Sequence, residues 1–314
     1  GVQGPEPTGA VLFYRDERLP AKVVNDRGED VTGALRRADG RAAPVGSLDR
    51  RFIGRLQREH VLTLDFAGAL EKWSGDKRLV IDGWVEYPYS QTSIAAWQAG
   101  ASFDAPTLEA RGGDGEWRTL LTQFGYPAGM PRRMSVPLAE LPDGTRKLRL
   151  RTNMEVYWDR IAVVRAEENA PVHRRDLGLK MASVAKTGFP KRTTGSQRRP
   201  DYDYGNRRPF WDTRYMAGYY TRIGPVEELV SGTDDAVAII GPGEEIRLEF
   251  EPAGTSPPPG WTRHFVLETN GWTKDMDLFT RDGETVEPLP DTGKPPVVRD
   301  RLHARYNTRY QAGR

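Results

Sequence analysis

Three groups of residues combine types and spacing that could do chemistry. Asp275-Met-Asp277, directly after Lys274, places two carboxylates one residue apart in a loop. With backbone carbonyls they would suit a hard cation such as Ca²⁺, which takes several oxygen ligands. The same spacing also makes an Asx-stabilised turn, and no full D-x-D-x-D-G loop is present. Asp234-Asp235 leans further toward a turn. The second group is Glu155, Tyr157 and Asp159, alternating with Met154, Val156 and Trp158. A period of two puts the polar trio on one face of a strand. That face would serve a sugar or a partner protein, or would satisfy backbone groups at a sheet corner while Trp158 anchors the core. The third group runs from Arg198 to Arg222. It holds Tyr202, Tyr204, Arg207, Arg208, Phe210, Trp211, Tyr215, Tyr219 and Tyr220. Tyr, Trp and Arg dominate protein–protein hot spots, and the same rings could stack on sugars. Nucleic acid also recruits these types, but the interleaved Asp201, Asp203 and Asp212 argue against it. The alternative is a loop folded over its own sandwich.

Nothing else carries catalytic spacing. The absence of cysteine removes disulfides, thiolate metal sites and cysteine nucleophiles. His60, His173, His264 and His303 are scattered without metal-ligand spacing and read as surface or strand histidines. No G-x-S-x-G elbow occurs, and Gly241-Pro-Gly243 precedes no helix, so it is a turn. Forty-six Lys and Arg against 44 Asp and Glu leave a formal charge of +2, which gives no pull toward polyanions. No apolar run reaches the roughly 18 residues of a transmembrane helix. The expectation is a protein that is not an enzyme. Beginning on Gly1, the sequence reads as a processed product.

The elements that must hold these residues are short strands between turns. Leu62-Thr-Leu-Asp-Phe66 alternates, and Arg78–Tyr87 has a continuous apolar centre that suggests a strand buried on both faces. Gly112-Gly-Asp-Gly115 marks a hairpin. The Pro142-Asp143-Gly144 turn leads into Lys147–Val164, two strands joined at Thr152-Asn153. Further strands are expected at 236–240, 245–250 and 263–268, with a short helix at 225–230. Strands at this spacing predict an all-β fold of two β-sandwich units, of jelly-roll or galactose-binding type. The expected organisation is an extended N-terminal segment with a hairpin (1–49), a first sandwich (50–165) and an aromatic and basic connector (166–231). A second sandwich unit (232–290) and an extended C-terminal tail (291–314) follow.

The two strand-dense regions look alike. Leu62–Phe66 resembles Ile246–Phe250, and Trp73 with Gly83-Trp84 resembles Trp261 with Gly271-Trp272, at the same spacing. An offset this long is no solenoid period, so a duplicated strand–loop–strand element is expected.

Several pieces together resemble a known family. They are Val24–Val31, Gly83-Trp-Val-Glu-Tyr87 with Ala95–Gly100, Gly125–Pro131, Arg151–Asp159, Gly218–Gly224, Gly271–Asp277, Val286–Leu289 and Tyr306–Arg309. They are similar to the C-terminal region of secreted bacterial proteins that carry FG-GAP (VCBS-type) repeats and an ASPIC/UnbV segment, often with TPR repeats. The propeller and TPR parts have no counterpart here. The resemblance implies a secreted, periplasmic or cell-surface protein in assembly or ligand recognition, and it transfers no catalytic residue. The leading expectation is a non-catalytic scaffold that binds other protein subunits through loops and extended segments. Carbohydrate binding comes second and a glycan-active enzyme last.

Overall fold

A computed structural model of the chain describes residues 11–128, 130–208, 214–254, 256–277, 279–290 and 297–313. The fold is all-β, with strands in several sheets and few helices. The described chain divides into two compact units, one reaching to Val172 and including Thr193–Asp201, the other His173–Arg192 with Tyr202 onward.

The first unit contains β1 (Tyr14–Arg18), β2 (Lys22–Asn25), β3 (Arg55–Asp65), β4 (Lys77–Val85), helix α1 (Ser90–Gln98), β5 (Thr107–Arg111), β6 (Trp117–Leu121), β7 (Arg132–Pro137), β8 (Lys147–Met154) and β9 (Val156–Ala166). They form a four-stranded sheet, β1-β9-β4-β7, and a five-stranded sheet, β2-β3-β8-β5-β6. All these pairings are antiparallel. Leu62, Leu64, Leu108, Leu148 and Leu150 of the larger sheet share one buried cluster with Leu79, Ile81, Trp158, Ile161 and Val163 of the smaller one. Burial of that apolar surface is the main force holding the two sheets face to face. The other face of the smaller sheet is covered too. Val80, Ala162 and Val164 pack with Tyr14 and Leu19, and Trp84 and Tyr157 pack with Ala42 and Val45. This double coverage explains the uninterrupted apolar reading of β4. The segment at 93–98, open between helical turn and strand in the sequence, is part of α1.

The second unit contains β10 (Leu179–Lys186), β13 (Gly218–Tyr220), β14 (Gly224–Pro225), helix α2 (Glu227–Val230), β15 (Glu244–Phe250), helix α3 (Val297–Tyr306) and β16 (Arg309–Gln311). A sheet β14-β10-β15 and a ribbon β13-β16 result. Ala182, Val184, Val226, Leu229, Leu302 and Tyr306 make its core. The hairpin of β11 (Phe189–Thr194) and β12 (Pro200–Arg208) has its tip in the first unit and its remainder in the second.

Several expectations change. The loop-like connector contains β10 to β14 and α2. The side chains of β11 and β12 are half-buried or exposed, so no apolar alternation announced them. The tail is not extended throughout, because Leu302 and Tyr306, one helical turn apart, bury against the core and support α3. The run 236–240 forms no strand. Three of its N–H groups meet side chains instead: Ala236 N–H donates to Asp234 (2.8 Å), Val237 N–H to His303 Nε2 (3.0 Å) and Ile239 N–H to Thr221 Oγ1 (2.7 Å), while the Ile239 carbonyl accepts the Thr221 N–H (2.9 Å). The run 263–268 also forms no strand, having no ladder partner among the described residues.

Candidate functional site

Glu155, Tyr157 and Asp159 lie where β9 leaves β8, on the face of the smaller sheet opposite the main core. Their alternation is broken by a β-bulge: Asp82 of β4 pairs with Arg160 while Gly83 pairs with Trp158, leaving Asp159 as the extra residue. Trp158 therefore faces the same core as Ile161 and Val163 despite the three-residue step. Gly83 permits this close approach, since a Cβ there would collide with the Tyr157 carbonyl.

The three polar side chains are buried, at 1%, 4% and 5% exposure for Glu155, Tyr157 and Asp159. Their polar atoms meet the chain itself. Asp159 accepts the N–H groups of Asp39 (3.3 Å) and Gly40 (3.0 Å). The Tyr157 hydroxyl donates to Glu155 Oε1 at 2.5 Å, and Arg198 Nε reaches the same oxygen at 2.9 Å. Glu86 lies 3.7 Å from the Arg198 guanidinium. The Tyr157 ring stacks on Trp84 with centroids 5.6 Å apart.

Arg198 belongs to the hairpin tip, which the corner grips by its backbone. Trp84 Nε1 donates to the Gln197 carbonyl (2.9 Å). The Gln197 amide mimics a strand partner for Ala42, donating to its carbonyl (2.7 Å) and accepting its N–H (3.0 Å). Gln197 and Arg198 both sit in the left-handed region, with φ of 56° and 53°. Two adjacent non-glycine residues in that region are costly and persist only where surroundings fix them. Burial pushes the Glu155 carboxyl above its ordinary value, opposed by the Tyr157 hydrogen bond and the Arg198 charge. Burial and the bond to Glu155 push the Tyr157 phenol up as well.

The aromatic and basic group divides. Tyr204 is well exposed, with Arg207 over its ring at 5.3 Å, and Arg207 also pairs with Glu245 (2.8 Å). Tyr202 is half-buried, its ring 6.3 Å from that of Tyr204, and Arg208 is exposed. Tyr215 takes a hydrogen bond from Lys186 Nζ (3.0 Å) and gives one to Glu244 (3.2 Å). Tyr220 is buried and donates to the Met216 carbonyl (3.0 Å). Tyr219 is exposed and meets Tyr310, its cross-strand partner, edge to face at 5.2 Å. Phe210 and Trp211 lie outside the described residues.

Asp277 caps a turn: its Oδ1 accepts the N–H of Phe279 (2.8 Å), the N–H of Thr280 (2.7 Å) and the hydroxyl of Thr280 (3.0 Å). Asp275 lines a cleft of about 410 Å³ with Trp272, Lys274 and Asp282. The Lys274 ammonium donates to the carbonyls of Thr285 (2.7 Å) and Glu287 (3.0 Å). Among the described residues no three His, Asp or Glu side chains converge as metal ligands.

Sequence reasoning missed two exposed aromatic sets. One is Tyr310, whose strand is too short to show a pattern. The other is Tyr87 with Tyr89 (centroids 5.9 Å) and Tyr126 (6.3 Å from Tyr87), in the unit whose α1 exposes Trp97. Tyrosines at 87 and 89 on the irregular end of an apolar strand were the available signal. His60 is a strand histidine, in β3. It is buried, with Nδ1 2.6 Å from Asp26 and Nε2 without a partner.

Compared with known proteins, the chain matches no family model, no curated protein and no solved structure. No described helix is long and apolar enough to cross a membrane.

Proposed function

We propose that this chain is a non-catalytic assembly subunit of an exported complex, binding other proteins through exposed segments of its second unit. One observation carries the reading. Phe265, Val266 and Leu267 are 70%, 60% and 62% exposed in succession, and Trp272 is 54% exposed. Exposed apolar patches of this kind mark interaction sites in stable proteins. Tyr204, Tyr219 and Tyr310 add rings suited to hot spots. The exported location, secreted, periplasmic or cell-surface, and the kinship with the FG-GAP and ASPIC/UnbV proteins rest on the motif resemblance. A two-sandwich organisation of jelly-roll or galactose-binding type belongs to the same proposal, supported by the shared core of the first unit's two sheets. Native mass analysis and co-purification of the full chain test the reading. A subunit held in fixed stoichiometry supports it, and a monomer that retains nothing sinks it.

A second reading, carbohydrate recognition, is favoured by Tyr87, Tyr89 and Tyr126, of which Tyr87 and Tyr89 are 45% and 57% exposed. Rings so placed can stack on pyranose faces. A glycan array without hits disposes of it.

A further inference from the structure

We infer that the 264–268 run adds as an antiparallel strand to the β15 edge of a second copy of this chain. The inference deepens the assembly reading, on which it rests, by naming the partner. Among the described residues β15 pairs only with β10 and leaves its other side open. On β15, Ile246 packs against the unit's core, and Leu248 and Phe250, on the same face, are 38% and 40% exposed. The core thus runs out along this strand toward a missing neighbour. An unpaired edge with an apolar face is a template for another strand.

The 264–268 run supplies the complement. Placing Phe265 opposite Phe250 puts Leu267 opposite Leu248 on the apolar face. The same register sets Glu268 opposite Arg247 and Val266 opposite Glu249 on the other face. Glu268 lies 3.8 Å from Arg174 of its own chain, and Arg247 also meets Glu245 at 2.9 Å. Cross-strand apolar and opposite-charge pairs are the units that stabilise a sheet. Shifting by one residue would turn Phe265 and Leu267 to the charged face.

The placement of the run separates the chain's own edge from that of a second copy. Between β15 and Trp261 stand Pro252 and Pro257-Pro258-Pro259. Past them the chain turns, with Trp261 N–H donating to the Pro258 carbonyl at 3.0 Å, and the 264–268 run that follows forms no ladder with its own β15. Exchange between two copies uses the same patch on each and closes as a two-fold dimer.

Light scattering on the full chain and charge-reversal mixing test this. The wild-type chain is expected to dimerise, and Leu267→Lys, at an exposed position, to stay folded and monomeric. R247E and E268R each set like charges opposite one another twice per dimer and should weaken self-association about tenfold. An equimolar mixture of the two variants places opposite charges at both contacts, so the dimer should return. A wild-type monomer at every concentration overturns the inference. So does a mixture that stays weak while the double variant R247E/E268R recovers, since that is pairing within one chain. In either case a different subunit held in fixed stoichiometry would leave the assembly reading standing.

Discussion

The element from Leu62 to Trp84 and the element from Ile246 to Trp272 share a sequence pattern but not an environment. In the first, Leu62, Leu64, Phe66 and Trp84 are at most 1% exposed. In the second, Leu248, Phe250, Trp261 and Trp272 are 38%, 40%, 42% and 54% exposed. Both alternating segments form strands, β3 and β15. The Leu79-Val-Ile81 strand has β7 and β9 on its two sides, whereas Phe265-Val-Leu267 has no ladder partner among the described residues. A strand-like pattern thus specifies what a segment can do, and the presence of neighbours decides whether it does so.

The largest expected effect breaks this comparison at its tryptophans. Trp84→Ala removes a buried ring stacked on Tyr157 and should cost about 3–5 kcal/mol by denaturant unfolding. Leu64→Ala should cost about 2–5 kcal/mol, while Leu248→Ala, measured at a concentration where the chain is monomeric, should stay below about 1 kcal/mol. Equal losses at Leu64 and Leu248 would mean that β15 is as enclosed as β3.

The next effect tests the corner that closes the first element. Tyr157→Phe deletes the donor to a buried carboxylate and should cost about 1–3 kcal/mol. Arg198→Ala should act through pH. The folded pKa of Glu155 lies above its unfolded value, so the folded chain binds the proton more tightly. Its burial cost is present above the folded pKa and is relieved as pH falls through it. Without Arg198 that relief should grow, so the variant should lose stability at neutral pH and regain part of it toward the carboxylate range. Melting curves from neutral to mildly acidic pH read this directly, and a parallel offset at all pH values would show that Arg198 acts only by packing.

Much of the first unit was legible in the sequence because its strands are apolar at a period of two. Even the bulge shows, as the three-residue step from Trp158 to Ile161. The tip contact was not legible. Gln197 and Arg198 adopt left-handed conformations that their residue types do not advertise, and their partners Ala42, Trp84 and Glu155 are far away in sequence. The side-chain bonding of 236–240 was hidden for a similar reason, since His303 and Thr221 supply what a neighbouring strand normally would. Glu155, Tyr157 and Asp159 read as a simple alternation, whereas the bulge makes Asp159 the extra residue of β9. What covers them lay elsewhere in the chain.

A smaller effect belongs to His60 in β3, which has no counterpart on β15. Burial holds its imidazole below the ordinary value, partly offset by the Asp26 carboxylate and reinforced by Arg27. The unfolded chain therefore takes up a proton that the folded chain resists. Stability should decline as pH falls through about 6.5, the unfolded histidine value. Melting temperature measured across that range should slope for the wild-type chain and flatten for His60→Gln.

The smallest expected effect sharpens the comparison most. Trp272→Ala mirrors Trp84→Ala in sequence but removes a ring that is more than half exposed. Its unfolding free energy should move by no more than about 0.5 kcal/mol, as for surface substitutions generally. A large loss measured at a concentration where the chain is monomeric would mean that Trp272 packs within its own chain, and the two elements would then be equivalent after all. A loss that appears only as concentration rises has a different meaning. It would place Trp272 in an association surface, because binding that requires the folded state stabilises it by mass action. Measuring this one variant at several concentrations therefore separates a second element completed within the chain from one completed by a partner.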